Sequence, residues 1–148
     1  MIEVEVSSEE TLHACDADRL ITGARRVFED AGIQAGEISI AIVDDPRMHE
    51  LNRQYLDHDY PTDVLSFVFE REDDRLEGEI IVSADYAIRE AQRYGWSLDD
   101  ELLLYVIHGA LHLVGYDDQT PAAKAAMREQ EQRFLRTFGL EPKYDERQ

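Results

Sequence analysis

Residues 102–118 of this chain read LLLYVIHGALHLVGYDD. The run is apolar around the whole circumference of a helix, which predicts a helix that lies largely inside the core. His108 and His112 stand four residues apart in it, so their imidazoles project from one face about one turn apart. Gly115 can adopt the left-handed conformation that ends a helix and turns the chain back.

A chain that turns back after this helix can bring Asp118 close to the two histidines. A buried imidazole needs either a hydrogen-bond partner or a metal ion. Three protein ligands with an open fourth position are typical of a catalytic zinc site and not of a closed structural one. We therefore predict one zinc ion per chain, held by His108, His112 and Asp118. The alternative is that the two histidines are polar side chains at the edge of a core.

The composition excludes several classes of protein. The 148 residues include 33 Asp and Glu against 15 Lys and Arg, a formal net charge of −18, which argues against nonspecific binding to phosphate backbones. Cys15 is the single cysteine, so an internal disulfide and the zinc frameworks built on two or four cysteines are excluded. No apolar segment approaches the ~20 residues of a membrane span.

The length and the N-terminal sequence add two expectations. A chain of this length predicts one domain over residues 1–148 that buries a core without disulfides or metals. Residues 1–6 alternate like a strand and lack the basic and apolar regions of a signal peptide. We expect a cytoplasmic protein that makes no membrane contact.

The rest of the chain predicts its strands and helices from apolar periodicity. Strands are expected at 2–6, 38–43, 64–69 and 79–83, and helices over 17–31, from Asp45, from Ser83 to near Gly95, from Ser97 and from Thr120. Ala31 is expected on the core stripe of the first helix, and Asp45-Pro46 is expected to supply a cap and a proline at the first helical position. The charged segment 70–78 is expected to be a mobile connection, and residues 140–148 a frayed tail.

This order of elements, βαβα followed by a β-hairpin and three helices, predicts an α+β fold. The first βαβ unit implies a parallel pair of strands with a right-handed crossover, and the hairpin adds an antiparallel pair. We expect a small mixed four-stranded sheet packed with about five helices, largely on one side. The zincin-like metal site would lie on a helix and the turn that follows it.

The metal site predicts a hydrolase. A zinc ion with an exchangeable water polarises a carbonyl or phosphoryl oxygen and lowers the pKa of the water. The spacing of the two histidines, the glycine and the aspartate is also that of metzincin peptidases, with Asp118 in place of a third histidine. In those enzymes a glutamate follows the first histidine and acts as general base. Here Gly109 stands in that place, so a zinc peptidase is an alternative that lacks its base.

Two blocks of the sequence resemble the YbeY family of bacterial endoribonucleases. Residues 108–118 are similar to the family motif HGxLHLxGYDH, and residues 51–67 resemble its segment LNxxYR…PT(D/N)VLSF. The strand at 78–83 is similar to the GDI-type strand of the family, and the resemblance spans about residues 38–135. It implies a metal-dependent endoribonuclease that cuts single-stranded RNA in ribosomal RNA maturation, including 16S rRNA 3′ processing and ribosome quality control.

The resemblance also implies partners and site residues. The partners would be ribosomal RNA, the small ribosomal subunit and ribosome-associated proteins. Asp63 and Asp117 are the candidate catalytic residues, and Thr62, Ser66 and Arg53 the candidate substrate-binding residues. The alternatives are that Thr62 and Asp63 make a turn, that Ser66 satisfies a strand edge, and that Asp117 holds an imidazole or the turn. The ion would activate a water or assist attack by the 2′-OH.

The sequence departs from the family pattern at two positions. The third histidine of the motif falls at Asp118, which ligates zinc well. Its charge offsets part of the field of the ion, so we expect a less acidic bound water and greater tolerance of Mn²⁺. The arginine of the second block falls at Leu56, and Arg53 is the candidate replacement as a clamp on phosphate. A ribosome-biogenesis binding module with a structural metal is therefore an alternative.

Basic rows and aromatic residues are further candidates for RNA contact. Lys124, Arg128 and Arg136 share one i, i+4 row, and Arg89 and Arg93 have the same spacing. Such rows either follow an RNA strand or form a solvated face. Candidates for stacking on unpaired bases are Tyr55, Tyr60 and Phe67.

Overall fold

The structure is a computed structural model that describes residues 2–8, 15–56 and 63–142, the side chains of residues 55 and 56 excepted. Its elements are β1 (Glu3–Ser8), α1 (Ala17–Asp30), β2 (Ala35–Val43), α2 (Asp45–Leu56), β3 (Val64–Glu72), β4 (Arg75–Ser83), α3 (Ala84–Tyr94), α4 (Leu98–Leu113) and α5 (Pro121–Arg136). The predicted order and the α+β class are confirmed. No helix within the described ranges is both long and apolar enough to cross a membrane.

The sheet is mixed, with the strand order β1-β2-β4-β3. β1 pairs with β2 and β2 with β4 in parallel, whereas β3 and β4 form an antiparallel hairpin. The parallel pair joined through α1 and the added hairpin are the arrangement that the sequence predicts.

The side chains of β2 alternate between two cores. In β2, Ile38, Ile40 and Ile42 belong to the larger core, which α1, α3, α4 and α5 cover. Ala41 and Val43 point to the other face, where a smaller core packs against α2. The helices therefore lie largely on one side of the sheet, as predicted, and α2 is the exception.

Helix α4 lies at the centre of the larger core. It contacts α1, α3, α5, β3 and β4, and residues 101–107 are all buried. A Cβ atom added to Gly109 would lie 2.7 Å from Ile80 Cγ2 and 3.0 Å from Ser66 Oγ. Only glycine at this position lets α4 approach the sheet so closely, and this approach fixes the height of His108 above the strands.

The predicted helix starts are mostly confirmed. The side chains that accept a backbone N–H at the N-caps of α1, α3, α4 and α5 are those of Asp16, Ser83, Ser97 and Thr120. The predicted start of α2 is wrong by one residue, because Asp44 Oδ1 accepts from the Arg47 N–H at 2.9 Å. Asp45 is then the first helical residue and Pro46 the second. Asp45 instead accepts a hydrogen bond from Ser83 Oγ at 3.0 Å and so joins α2 to α3.

Two expectations about the ends of helices are wrong. Ala31 is exposed, because α1 ends at Asp30 and Ala31 lies in the turn that follows. Leu140 does not begin a frayed tail: it packs against the larger core, and its N–H donates to the Leu135 carbonyl at 3.1 Å. Residues 143–148 lie outside the described residues.

The charged segment 70–78 is not a mobile connection. β3 continues to Glu72 and β4 begins at Arg75, so only Asp73 and Asp74 turn the chain. Asp73 has φ 52°, in the left-handed region that tight turns use. Leu76 is fully buried and fixes this end of the hairpin to the core.

The end of the sheet that α2 leaves uncovered carries a row of four glutamates. Glu3, Glu37, Glu77 and Glu70 are direct neighbours across β1, β2, β4 and β3. A hydrogen bond between Glu70 and Glu77 raises the pKa of Glu70 and lowers the pKa of Glu77. Like charges directly opposite one another destabilise a sheet, so this glutamate row opposes folding.

We expect Glu37→Lys to stabilise the protein, raising the midpoint of thermal unfolding by a few degrees. The lysine would stand between Glu3 and Glu77 and turn two repulsive neighbours into attractive ones. Added NaCl, which screens the repulsion in the wild type, should stabilise the variant less. Glu129→Lys, on the exposed side of α5, makes the same change in net charge. Equal stabilisation by both variants would assign the gain to net charge and not to the glutamate row.

Candidate metal centre

The turn after α4 brings three candidate ligands together. Gly115 has φ 110°, as predicted, and its N–H donates to the His112 carbonyl at 3.1 Å. The Tyr116 N–H donates to the Leu111 carbonyl at 3.0 Å, which closes the turn. Asp118 then lies beside the two imidazoles of α4.

The distances among the three side chains suit a metal ion. His108 Nε2 lies 3.0 Å from His112 Nε2 and 3.6 Å from Asp118 Oδ2, and His112 Nε2 lies 3.9 Å from Asp118 Oδ1. A tetrahedral ion with bonds of about 2.0–2.2 Å spaces its ligand atoms roughly 3.3 Å apart. One atom from each residue falls within 4.8 Å of the others. This group can therefore hold a metal ion.

A buried carboxylate fixes the orientation of His108. Glu131 of α5 is 3 % exposed, and its Oε2 lies 2.5 Å from His108 Nδ1. A carboxylate only accepts, so Nδ1 carries the proton and donates it to Glu131. His108 Nε2 is left with its lone pair directed toward His112 and Asp118, which is the tautomer that binds a metal.

Glu131 was not among the residues predicted for the site, and Asp117 was the candidate for holding an imidazole. Asp117 is exposed, and its Oδ1 accepts from the Gln119 N–H at 3.1 Å, so it holds the turn. The signal for Glu131 was its position four residues after Met127 on the core stripe of α5, where Phe134 follows. A glutamate at a buried helical position needs a partner, and that partner is His108.

The two imidazoles have different affinities for protons. Burial lowers the pKa of His108, but the hydrogen bond and the charge of Glu131, together with the charges of Asp63 and Asp118, raise this pKa above its ordinary value of 6.5. Burial lowers the pKa of His112, and the charge of His108 lowers it further. Protons therefore compete with a metal ion at His108 more strongly than at His112.

We expect Glu131→Gln to lower the affinity for zinc by about 10- to 100-fold, the usual cost of losing the partner of a ligand histidine. The amide oxygen still accepts from His108 Nδ1, but its negative charge is gone. Competition with a coloured chelator measures the effect. Glu129→Gln, on the exposed side of the same helix, is the matched control, and equal affinities would show that Glu131 does not support the site.

The loss of stability caused by Glu131→Gln is expected to depend on pH in the metal-free protein. A raised pKa means that protonated His108 stabilises the fold. This contribution is complete below the unfolded pKa of His108 and is lost as the pH rises through the folded value. In chelator, the stability advantage of the wild type over Glu131→Gln is therefore expected to be larger at about pH 6 than at about pH 9.

Asp63 directly precedes β3 and lies near the candidate metal ligands. It is half-buried, its main-chain carbonyl accepts from the Ser83 N–H at 3.0 Å, and its Oδ1 accepts from the Val64 N–H at 2.8 Å. Its negative charge contributes to the raised pKa of His108. With His108 and Asp118 it lines one cavity.

The candidate substrate-binding residues are not brought together. Ser66 Oγ donates to the Gly109 carbonyl at 3.3 Å, under α4. Arg53 is exposed on α2, which packs on the opposite face of the sheet, and it is not among the described residues that line the cavity. Thr62 lies outside the described residues.

The candidate stacking residues contribute little to the described site. Phe67 packs against the smaller core beside α2. Tyr60, like the side chains of Tyr55 and Leu56, lies outside what the structure describes.

A cavity of about 480 Å³ lies among α3, α4 and α5. The described residues that line it are Asp63, Tyr86, Glu90, Arg93, Tyr94, Leu104, Tyr105, His108, Asp118, Lys124, Met127, Arg128 and Glu131. The candidate metal ligands His108 and Asp118 are part of this lining, so a molecule in the cavity would lie next to an ion held by them.

The basic rows divide between this cavity and the surface. Lys124 and Arg128 line the cavity, whereas Arg136 forms an ion pair with Glu141 at 2.7 Å. In α3, Arg93 lines the cavity, whereas Arg89 pairs with Asp45 at 2.6 Å. Neither row is a continuous basic stripe, but members of both face the same cavity.

Comparisons with known proteins agree on one family. The family model described as endoribonuclease YbeY matches residues 4–139. Proteins named endoribonuclease YbeY from Rhodopirellula baltica, Desulfitobacterium hafniense and Moorella thermoacetica are 46 %, 42 % and 39 % identical to this chain. The matches cover 74 %, 79 % and 83 % of this chain, and 58 %, 81 % and 89 % of the respective relatives. The chain thus spans little more than half the length of the first of these.

A solved structure has a similar fold. The solution structure of TM1509 from Thermotoga maritima superposes with a TM-score of 0.57 at 23 % identity, and the match covers 100 % of this chain and 99 % of that one. At this identity the likeness concerns the fold alone.

Proposed function

We propose, because this chain belongs to the endoribonuclease YbeY family, that it is a metal-dependent endoribonuclease that cuts single-stranded RNA. The observation that carries the proposal is the convergence of His108 Nε2, His112 Nε2 and Asp118 at 3.0–3.9 Å, with Glu131 holding His108 in the metal-binding tautomer. The convergence provides three ligands and leaves a fourth position for substrate.

We infer that each chain holds one Zn²⁺ and also accepts Mn²⁺. Two imidazoles suit zinc, and a carboxylate in place of a third imidazole makes the donor set harder. When bound, such an ion supplies Lewis acidity that polarises a phosphoryl oxygen and lowers the pKa of a water. Asp118 is 44 % exposed at its side chain, so the open side of the site faces the solvent from which RNA arrives.

Of Asp63 and Asp117, Asp63 is the better candidate for accepting a proton. It lines the cavity with His108 and Asp118, within the electrostatic reach of His108. Asp117 holds the turn through Gln119. We therefore assign the proton-accepting role to Asp63. Ser66 is proposed to act through Gly109, by fixing α4 on the sheet.

The proposed substrate is ribosomal RNA, and the proposed role is its maturation, including 16S rRNA 3′ processing and ribosome quality control in the cytoplasm. A net charge of −18 opposes tight binding to free RNA. The proposal therefore includes the small ribosomal subunit and ribosome-associated proteins as partners that bring the enzyme to its substrate. Weak, salt-sensitive binding to free RNA is expected in their absence.

Metal removal and replacement test the proposal. Wild-type protein is treated with chelator, reloaded with Zn²⁺ or Mn²⁺, and given end-labelled single-stranded RNA, duplex RNA or single-stranded DNA of one sequence. We expect cleavage of the single-stranded RNA only, lost in chelator and restored by either ion. Cleavage that resists the chelator would contradict a metal-dependent enzyme. Ribosome binding without cleavage would favour the binding module.

A further inference from the structure

The cavity beside the metal centre is large enough for part of an RNA strand. Its volume of about 480 Å³ lies within the roughly 300–1,000 Å³ of small-molecule sites. α3, α4 and α5 each contribute one face, and His108 and Asp118 belong to its lining. Whatever fills the cavity is therefore adjacent to the ion.

The charges in the cavity differ from those of the whole chain. The protein has 15 basic residues against 33 acidic ones, yet Arg93, Lys124 and Arg128 all line this cavity. They come from two helices, α3 and α5, so both helices bring positive charge to the cavity. Lys124 is also one of only two lysines in the chain.

The acidic residues of the cavity divide into two groups. Asp63, Asp118 and Glu131 lie at the proposed metal centre, where a bound ion would offset part of their charge. Glu90 of α3 is the remaining carboxylate in the lining. It can accept hydrogen bonds from a base amino group or a ribose hydroxyl. Its negative charge would repel a phosphate, but it can bind the base or the ribose of a nucleotide.

Tyr86 supplies an aromatic surface in the same cavity. Its ring is half-buried and meets the Tyr105 ring edge to face, with centroids 6.3 Å apart and planes at 69°. The Arg89 guanidinium lies 5.4 Å from the ring centroid. These contacts hold the ring in place, which lowers the entropic cost of stacking a base on it.

The geometry points to a nucleotide-binding subsite: this cavity holds the nucleotide next to the scissile phosphate, with its base on Tyr86 and its phosphate between Arg93, Lys124 and Arg128. The inference rests on the proposed endoribonuclease function. It assigns the preference for an unpaired strand to α3 and α5, since a paired base must first break its pairing and stacking before it can stack on Tyr86.

The charge contacts are tested by the salt dependence of RNA binding. A fluorescent single-stranded oligoribonucleotide is titrated in chelator, where the proposed enzyme does not cut it, over a series of NaCl concentrations. Neutralising one phosphate makes the slope of log K against log salt steeper by about 0.7 for a single strand. The subsite holds one phosphate, so we expect the double variant Lys124→Gln, Arg128→Gln to make this slope shallower by about 0.7.

Arg136→Gln is the matched control. It removes one positive charge from the same helix, but at a residue that pairs with Glu141 outside the cavity lining. We expect its slope to equal that of the wild type. An unchanged slope in the double variant, or an equal fall in the control, would overturn the charge contacts of the subsite.

The stacking contact is tested at Tyr86. Tyr86→Phe keeps the ring and should bind RNA like the wild type, whereas Tyr86→Leu should weaken binding and raise KM by about five-fold or more. A merely structural role would show in unfolding midpoints and in kcat instead. Equal RNA binding and KM for Tyr86→Leu and wild type would overturn the stacking role.

The two proposals fail in different ways. If the wild type does not cut RNA but its binding depends on Lys124, Arg128 and Tyr86, the endoribonuclease proposal fails and the cavity stands as an RNA-binding site. If the wild type cuts RNA and all the variants bind and cut as it does, the proposed subsite is wrong and the endoribonuclease function is retained.

Discussion

His112→Ala is expected to abolish RNA cleavage in a protein that stays folded. The imidazole is 29 % exposed and lies in the last turn of α4, where alanine is the best helix former. The variant loses one of three ligands. Loss of an outer partner costs about 10- to 100-fold in metal affinity or activity, so loss of a ligand should exceed 100-fold. Metal analysis of the purified variant should give well below one ion per chain.

The matched control is His49→Ala. His49 lies on α2, which packs on the opposite face of the sheet from α4. The two variants differ from the wild type by the same chemical change, so purification in parallel also exposes a contaminating ribonuclease. His49→Ala should cut single-stranded RNA at the wild-type rate. Equal cleavage by both variants would show that the activity does not depend on the metal centre.

The convergence of His108, His112 and Asp118 is predictable from the sequence because it is local. The positions of His108 and His112 follow from helical geometry, and Gly115 supplies the turn that brings back Asp118. All the information lies within residues 102–118. The α+β order is predictable for a similar reason, since each strand and helix carries its own periodicity.

The contact of Glu131 with His108 could not be predicted from a local stretch of sequence. Glu131 reaches His108 from another helix, 23 residues away in sequence, and periodicity gives no pairing between helices. The same limit applies to the cavity, whose basic lining combines Arg93 of α3 with Lys124 and Arg128 of α5. From the sequence alone these residues belong to separate rows, together with residues that form ion pairs at the surface.

The hairpin shows a different limit. Residues 70–78 look like a loop because charge dominates them, yet they continue β3 and β4 on either side of Asp73 and Asp74. An exposed strand needs no apolar partner on its outer face. Its pairing with the neighbouring strand satisfies the backbone, and Leu76 supplies the one buried anchor. The charged composition therefore predicts a loop for residues 70–78, whereas main-chain pairing makes most of them part of two strands.

Gly109→Glu is expected to unfold or severely destabilise the protein, although it creates the His-Glu-x-x-His sequence of zinc peptidases. Position 109 faces the sheet: an added Cβ would lie 2.7 Å from Ile80 Cγ2, 3.0 Å from Ser66 Oγ and 3.3 Å from Val64 Cγ2. Overpacking of this kind costs about 1–3 kcal/mol. A carboxylate forced in beside Ile80, which is fully buried, adds several kcal/mol more.

Two alanine variants separate packing from charge. Gly109→Ala keeps the overpacking, which costs about 1–3 kcal/mol, and gains about 1 kcal/mol of helix propensity, so it should lower the free energy of unfolding by up to about 2 kcal/mol. Gly23→Ala should cost less, because only one atom lies closer than 3.4 Å to its added Cβ, the Cδ1 of Leu103 at 2.7 Å, and alanine gains the same helix propensity of about 1 kcal/mol over glycine. Denaturant unfolding of the three variants gives this order directly. A stable Gly109→Glu protein with chelator-sensitive cleavage of casein would contradict the close approach of α4 to the sheet. It would also show that the missing glutamate alone separates this site from that of a peptidase.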